Sequence, residues 1–491
     1  MMTDNKTSFW FITGSQHLYG PETLDQVMEQ TRDITGTLNE ALPFPVETKS
    51  VVTTEEEITR VLREANAAAD CAGVILWMHT FSPAKRWVQG LMELQKPMLH
   101  LHTQHHEQIP WNEIDMDFMN LNQSAHGDRE FGFLVTRLGK NRRVIAGHWK
   151  HETIQQEIAG WMRTMAAVQE SRRLKVARIG DNMRGVAVTE GDKVQAQKEF
   201  GWTVDGYGIG DINEVAARFS EDEVAARAEE YKQSYHIPEE KWQEEDFRQS
   251  VLGQARIELG IEAFLTENGY HAFTTTFEDL HGMEQLPGLA AQRLMEKGFG
   301  FAGEGDWKTA ALLRMMKTMT GNDRTTFMED YTYHFTPDGA QVLGSHMLEI
   351  CPTVASGKPE VAVHPLGIGG KTDPARLIFD GISGEAVNVS LVDMGGRFRF
   401  ILNEVTAVEV SENTPNLPVA KVLWEPKPDF KTAAEAWIYA GGAHHTVLTF
   451  AADKQQIADL ADAFDIELVT IDSHTDIYHF RQQMKHAAGK A

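Results

Sequence analysis

Cysteine is scarce in this chain, because only Cys71 and Cys351 occur among its 491 residues. A framework of several disulfides is therefore excluded, and we expect a reducing compartment. Positive charge is scarce as well: 46 Lys and Arg stand against 71 Asp and Glu, for a formal net charge of −25. This balance argues against nucleic acid and anionic membrane surfaces as partners, and it fits a small neutral or cationic ligand.

Long apolar runs are also missing. No run approaches the ~20 residues that a membrane-spanning helix needs. The N-terminal sequence MMTDNKTSFWFITGSQ lacks the basic-then-apolar layout of a signal peptide. We therefore predict a cytoplasmic protein. Its 42% of hydrophobic residues provide ample core material, and its length predicts two to four domains.

The first third of the chain alternates compact apolar runs with helical patterns. The candidate strands are Ser8–Thr13, Gly73–Met78 and Met98–His102. Short apolar runs separated by helices predict βαβ units and a parallel sheet. Such sheets bind ligands at the carboxyl ends of their strands. The segments GSQHLYG, MHTFS and TQHH follow the three strands and are rich in side chains that can bond hydroxyl groups.

The α/β pattern restarts near residue 171 and gives way to strand-like stretches from about residue 325. In the middle part, Leu174–Ile179 and Ala272–Thr276 are predicted strands, and Trp307–Met319 is a predicted helix. The last part predicts an antiparallel sheet or barrel, followed by a return to helix–strand units. We place the domains at residues 1–170, 171–322 and 323–491.

Four short stretches contain residues that could carry chemistry. Glu304 lies between glycines in FAGEGDW at a predicted strand-to-helix turn; considered alone, an acid complementing the helix dipole is the preferred interpretation. In FMEDYTYHF, strand alternation places Glu329 among aromatic residues. An unpaired carboxylate is costly on an apolar face, so Glu329 would be neutralised or poised for chemistry there. The alternative is that Glu329 faces solvent. In GSHMLE, a strand would place His346 on an apolar face, where a core role is commoner.

The fourth stretch is AGGAHHTVLTF, which contains His444 and His445 side by side. Adjacent residues of an extended segment point to opposite faces, so only one of the two should face a metal ion. Geometry alone leaves open which one, since Val447 and Leu448 make both faces apolar.

Two carboxylates and two imidazoles suit a divalent ion such as Mn²⁺, Co²⁺ or Mg²⁺, whereas the lack of thiolates disfavours structural zinc. The spacing of these residues matches no metal motif, so a shared site is possible but not required by the pattern. The glycine-rich segment GIGGK lacks the spacing of a phosphate loop, and no dinucleotide fingerprint occurs.

Taken together, the motifs resemble those of the L-arabinose isomerase family over essentially the whole chain. The matching stretches are GSQHLYG (14–20), LNQSAHGDREFG (121–132), GDNMR (180–184), GEGDWKTAALLR (303–314), FMEDYTYHF (327–335), GSHMLE (344–349) and AGGAHHT (440–446). The resemblance implies two doubly wound α/β domains followed by a domain built on an antiparallel β-barrel. It also implies a hexamer made of two trimers, and conversion of L-arabinose to L-ribulose with weaker conversion of D-galactose to D-tagatose.

The resemblance further implies the roles of particular residues. The Mn²⁺ ligands it implies are Glu304, Glu329, His346 and His445, which leaves His444 as a packed or outer residue. The sugar contacts it implies are Gln16, Leu18, Tyr19, Gln123, Met183, Phe277 and Ile368. His126 corresponds to a histidine that a neighbouring subunit contributes. One Mn²⁺ per subunit is expected, with Co²⁺ or Mg²⁺ as possible substitutes.

An aldose–ketose isomerase must move one proton between C2 and C1 and another between O1 and O2. Two carboxylates flanking these carbons can act as base and acid through an ene-diol, and we assign this pair to Glu304 and Glu329 without dividing the two roles. A metal-assisted hydride shift is the chemical rival. A sugar-binding module and a metal-dependent sugar lyase or hydrolase are the competing functions.

Overall fold

The computed structural model describes residues 7–337, 339–367 and 370–488. Contacts divide the chain into two compact units. The first contains the residues up to Gln169 together with Asp462–Asp465, and the second contains Glu170–Ala461 and Ile466 onward. None of the described helices is long and apolar enough to cross a membrane.

The first unit is built on a five-stranded parallel sheet with the strand order β2-β1-β3-β4-β5. The strands β1 and β3 are buried along their whole length, as expected of central strands covered on both faces. The elements are β1 Ser8–Gly14, α1 Pro21–Ala41, β2 Val46–Thr48, α2 Glu55–Ala67, β3 Cys71–Met78, α3 Val88–Glu93, β4 Met98–His102, α4 Met116–Leu121, α5 Ser124–Arg137, β5 Arg143–Ala146 and α6 Glu152–Ser171.

A four-stranded parallel sheet with the order β7-β6-β8-β9 begins the second unit. The charged helical stretch before β8 is divided among several helices, and α11 alone contains 24 residues. The elements are β6 Lys175–Ile179, α7 Lys193–Phe200, β7 Thr203–Tyr207, α8 Ile209–Ala216, α9 Glu221–Ser234, α10 Glu239–Trp242, α11 Glu245–Asn268, β8 Ala272–Thr275, α12 Gly288–Glu296, β9 Gly300–Ala302 and α13 Trp307–Thr320.

The rest of the second unit is an antiparallel barrel with flanking helices. Its strands are β10 Thr325–Thr336, β11 Gly339–Ser345, β12 Glu360–Val363, β13 Ala375–Ile378, β14 Gly384–Asp393, β15 Phe398–Val408, β16 Lys421–Pro426, β17 His445–Thr449 and β18 Glu467–Ile471. Its helices are α14 Phe430–Ala440, α15 Lys454–Phe464 and α16 Ile477–Ala488.

Six of these strands close on themselves in the order β14-β17-β10-β11-β16-β15, because β15 pairs again with β14. The strand β18 adds to β15 in parallel, and β12 and β13 form a separate pair. The two parallel sheets and the barrel confirm the predicted fold class. The helix α13 contacts strands of both the second parallel sheet and the barrel, so its first turn lies beside barrel strands.

Two strand predictions differ from the structure. The strand considered for GSHMLE ends at Ser345, and the chain from His346 to Cys351 is irregular. The alternation predicted along FMEDYTYHF is broken because the pairing of β10 with β11 shifts register between Asp330 and Thr332. Such a bulge inserts an extra residue and reverses the facing of everything beyond it. Tyr333 therefore packs against Phe430 of α14 and does not lie beside Glu329 in the cavity described below.

Candidate metal centre

Glu304 lies in the sharp turn between β9 and α13. Its backbone has φ of 60°, a left-handed conformation that is unusual for a residue other than glycine. The next residue, Gly305, has φ of 76°, and a Cβ there would lie 2.4 Å from the carbonyl oxygen of Asp181. The strained turn is typical of functional sites, and the glycine is required because the chain passes so close to a neighbouring segment.

Asp306 caps α13 and is almost completely buried. Its carboxylate accepts hydrogen bonds from the Thr309 hydroxyl (2.8 Å) and the Lys308 ammonium (3.1 Å). Burial alone would raise the pKa of Asp306, but Lys308 and His445 outweigh it and hold that pKa well below its usual range. Asp306 is therefore a fixed, ionised acceptor.

His445 is the first residue of β17 and has no exposed surface. Its Nδ1 donates to Asp306 Oδ2 at 3.2 Å, while its Nε2 is buried without a hydrogen-bond partner among the described residues. That Nε2 lies 3.8 Å from Glu304 Oε2. Burial lowers the pKa of His445, although Asp306 opposes the shift, so the imidazole is neutral at pH 7. A neutral imidazole with an unpartnered nitrogen is ready to bind a cation.

His346 follows the end of β11 and is buried as well. Its Nδ1 donates to Glu349 Oε2 at 2.6 Å, and the same oxygen accepts from the backbone N–H of Leu348. Burial would lower the pKa of His346, but the Glu349 carboxylate raises it overall. Strand alternation would have put His346 and Glu349 on opposite faces, so their contact exists only because the strand ends at Ser345.

Glu304, His346 and His445 each offer a ligand atom, and these atoms lie within 4.8 Å of one another. Both imidazoles use Nδ1 for a carboxylate, which is the outer-shell arrangement typical of metal-binding histidines. The orphaned Nε2 of His445 is the further sign that these residues fit a divalent cation. Glu329 is paired in register with His445 on one side and Ser345 on the other, and it lines the same cavity outside the group of three.

His444 contacts Glu304 from outside this group. Its Nε2 donates to Glu304 Oε2 at 3.4 Å, and its ring lies 4.3 Å from that of His445. This bond is the main reason that the pKa of Glu304 is lowered. Gly441, with φ of 79°, ends α14 in a left-handed cap and starts the short turn that leads to the two histidines.

Glu304 and His346 line a cavity of about 230 Å³, and His445 lies buried behind them. Two predicted sugar contacts, Met183 and Phe277, line it, as does Glu329. The backbone N–H of Met183 donates to the carbonyl oxygen of Glu304 at 2.9 Å, which ties the GDNMR segment to the turn that carries the acid. Ile368, another predicted contact, lies outside the described residues.

Profiles of known families match the chain in three segments. The N-terminal domain of L-arabinose isomerase matches residues 3–173, the central domain matches 175–322 and the C-terminal domain matches 324–467. The chain belongs to the L-arabinose isomerase family. Among curated members, the L-arabinose isomerase of Geobacillus stearothermophilus is 58% identical over 99% of this chain and 98% of its own. That of Bacillus subtilis is 57% identical over 99% of this chain and 98% of its own.

The remaining contacts implied by the L-arabinose isomerase resemblance lie in the first unit. The Gln123 amide nitrogen donates to the Tyr19 hydroxyl at 3.3 Å, and its oxygen lies 3.2 Å from His126 Nδ1. Gln16 is buried at the end of β1, whereas Leu18 is 80% exposed. The structure therefore brings Tyr19, Gln123 and His126 together.

Two residues that orient histidines at the candidate metal centre of this L-arabinose isomerase family member were assigned no role from the sequence. Asp306 and Glu349 hold the Nδ1 atoms of His445 and His346. The spacing His-x-x-Glu in HMLE was a local signal for the second pair. Asp306 and His445 are 139 residues apart, so no local pattern could join them. Asp330, next to Glu329, is a half-buried acid, and its partial burial raises its pKa to about 7.

Proposed function

We propose that the protein interconverts L-arabinose and L-ribulose, and D-galactose and D-tagatose more weakly, with a bound divalent cation. The observation that carries the proposal is the group of Glu304, His346 and His445, in which the buried Nε2 of His445 has no hydrogen-bond partner within the described part of the chain. The curated relatives bear the name L-arabinose isomerase, which supports the choice of substrate.

Glu304, Glu329, His346 and His445 would hold the cation, and Mn²⁺ is the ion we propose, with Co²⁺ or Mg²⁺ as substitutes. Carboxylate oxygens and imidazole nitrogens suit these ions. When bound, the ion supplies Lewis-acid polarisation of the sugar's carbonyl group. Asp306 and Glu349 keep both imidazoles oriented with Nε2 available, because each accepts a hydrogen bond from an Nδ1–H group.

The two glutamates carry the proton transfers in this proposal. One carboxylate removes the proton from C2 of the aldose and returns it to C1, while the other moves the hydroxyl proton from O2 to O1 through an ene-diol. Both line one cavity, so both reach a sugar placed there. His444 holds Glu304 by a hydrogen bond that favours its ionised form. Which glutamate takes which proton stays open.

Met183 and Phe277 would contact the sugar's carbon chain from the cavity wall. Gln16, Leu18, Tyr19 and Gln123 of the first unit, together with Ile368, complete the proposed contact set. We propose a hexamer of two trimers in which His126 acts in a neighbouring subunit, so an isolated monomer should be inactive. The division into domains at 1–170, 171–322 and 323–491 and the cytoplasmic location stay predictions.

The test is ketose formation from L-arabinose and from D-galactose, with EDTA-treated protein and after Mn²⁺ is restored. We expect EDTA to abolish activity, Mn²⁺ to restore it, and Glu304→Ala and Glu329→Ala to remain inactive with Mn²⁺ present. A protein that binds the sugar unchanged, or that releases a cleaved product, would contradict the proposal.

A further inference from the structure

A second cavity, of about 280 Å³, lies at one mouth of the barrel, and the proposed function makes no use of it. Side chains from β10, β11, β14, β15 and β16 line it, and α14 forms the remaining wall. The volume is near the lower end of sites for small molecules, about 300 Å³. The cavity is therefore large enough for a ligand of a few carbon atoms with its polar groups.

Asn388 on β14 is the most informative residue of this wall. It is 6% exposed, and its carboxamide oxygen has no hydrogen-bond partner among the described residues. In register it faces Asn403 on β15 and Leu448 on β17, and the barrel core around it is apolar. Buried polar atoms in folded proteins nearly always have a partner. Because Asn388 also lines the cavity, a hydrogen-bond donor bound there would satisfy its carboxamide.

The other residues that line the cavity indicate which kind of ligand would fit it. Four aromatic side chains line the cavity and offer flat apolar faces: Tyr333, Trp424, Phe430 and Trp437. Asn403, Asp330 and His444 add further groups that bond hydroxyls. No Lys or Arg of the described residues lines it, and His444 already donates to Glu304, so the lining offers an anion no further positive charge. Aromatic faces combined with amide, carboxyl and imidazole groups match a compound that has C–H faces and several hydroxyl groups.

We propose that this barrel-mouth cavity is a second binding site, for a small neutral polyol or sugar, separate from the cavity at the metal centre. His444 lines the barrel-mouth cavity and donates to Glu304. A bound polyol would therefore touch the residue that holds Glu304, which gives the site a direct contact with the metal centre.

Hydrogen exchange of the full-length, EDTA-treated protein with and without L-arabitol tests the proposal. This pentitol has no carbonyl group and cannot be isomerised. Exchange in peptides covering Gly384–Asp393 and Phe430–Ala440 should become about tenfold slower at nine times the dissociation constant, since bound ligand slows opening by 1 + [L]/Kd. Unchanged exchange in both peptides would overturn the proposal.

Two variants make the test specific. Asn388→Leu keeps the side-chain volume and removes the acceptor, and Ala434→Leu fills the cavity from α14. Each should abolish the L-arabitol protection of these peptides, while Lys431→Leu, on an exposed position of the same helix, should retain it. Protection that survives in both cavity variants would show that the polyol binds elsewhere.

Asn388→Leu should melt no lower than wild type, because it removes a buried carboxamide oxygen that has no hydrogen-bond partner among the described residues. If Asn388→Leu does not fold, hydrogen exchange of Ala434→Leu with and without L-arabitol is the deciding measurement. An isomerase assay of the same preparations after Mn²⁺ is restored separates the two proposals. An active enzyme without protection in these peptides overturns the second site, and protection in a protein that does not isomerise sugars overturns only the proposed function.

Discussion

His445 and Asp306 are joined by a hydrogen bond of 3.2 Å from Nδ1 to Oδ2. His445 Nε2 is left at 3.8 Å from Glu304 Oε2, with no hydrogen-bond partner among the residues that the structure describes. The carboxylate fixes both the tautomer and the direction of the ring. Because Asp306 also caps α13 and binds Lys308, the position of His445 depends on the start of that helix.

Replacing Asp306 with Asn should lower the affinity for Mn²⁺ by about 10- to 100-fold, the effect expected on loss of an outer-shell carboxylate. Electron paramagnetic resonance of free Mn²⁺ measures the affinity directly. Thr309→Val removes another hydrogen bond to Asp306 without touching the bond to His445, and it serves as the control. Equal Mn²⁺ affinity in wild type and Asp306→Asn would show that the carboxylate does not orient a ligand.

The paired histidines should behave unequally. We expect His445→Ala to abolish Mn²⁺ binding, because its Nε2 lies among the ligand atoms. His444→Ala should retain the ion with weaker affinity, since it removes only the hydrogen bond to Glu304. The pKa of Glu304 should then rise, because that bond is the main cause of its lowering. Metal content after dialysis measures the difference, and equal loss from both variants contradicts the division of roles.

Proton transfer through an ene-diol should introduce deuterium from the solvent into the product. With L-arabinose in D₂O, wild-type protein should form L-ribulose that carries deuterium at C1, because the proton removed from C2 exchanges before it is returned. Glu329→Gln should reduce turnover by at least about 100-fold, the usual contribution of a positioned acid or base. Mass spectrometry of the product detects the label. Its absence after many turnovers in both directions favours a hydride shift.

His79 provides a prediction about stability and pH in the first unit. It is completely buried, and burial, with His105 and His106 nearby, lowers its pKa to about 3. The unfolded chain takes up a proton below about pH 6.5, whereas the folded chain does not until near pH 3. Stability should therefore fall as the pH drops through this window, by about 1.4 kcal/mol for each pH unit.

Urea unfolding at several pH values between 5 and 7 tests this contribution. His79→Gln cannot titrate, so its free energy of unfolding should depend less steeply on pH than that of wild type. His479→Gln changes an exposed histidine, with a side chain that is 80% accessible, and should leave the slope unchanged. Identical slopes for wild type and His79→Gln would mean that His79 does not resist protonation in the folded protein.

Much of the fold could be predicted from local patterns. The buried strands β1, β3 and β4 were evident from compact apolar runs, because central parallel strands are covered on both faces. The barrel was evident only as a series of strand-like stretches. Its closure depends on β15 pairing with β14 along one edge and with β16 and β18 along the other, and such long-range pairing has no local signature.

The candidate site, like the fold, could be predicted only in part from local patterns. Motif resemblance named Glu304, Glu329, His346 and His445. Strand geometry predicted that His444 and His445 point to opposite faces, but His444 precedes β17 and both Nε2 atoms lie within 3.8 Å of Glu304 Oε2. The sequence patterns did not show that β11 ends at Ser345, nor that β10 contains a bulge beside Glu329. Both depend on neighbouring strands, which decide where pairing stops and where an extra residue is accommodated.

The sequence by itself determined the family, the fold class and the residue types available for a metal ion, because these follow from composition, periodicity and motifs within short segments. The folded chain was needed to show that Asp306 and Glu349 hold the two imidazoles. It was also needed to show that the Asn388 carboxamide oxygen has no partner among the described residues. The physical reason is that hydrogen bonding and burial are properties of atoms in space. Asp306 and His445 are 139 residues apart, and only the packing of α13 against the barrel strands brings them within 3.2 Å.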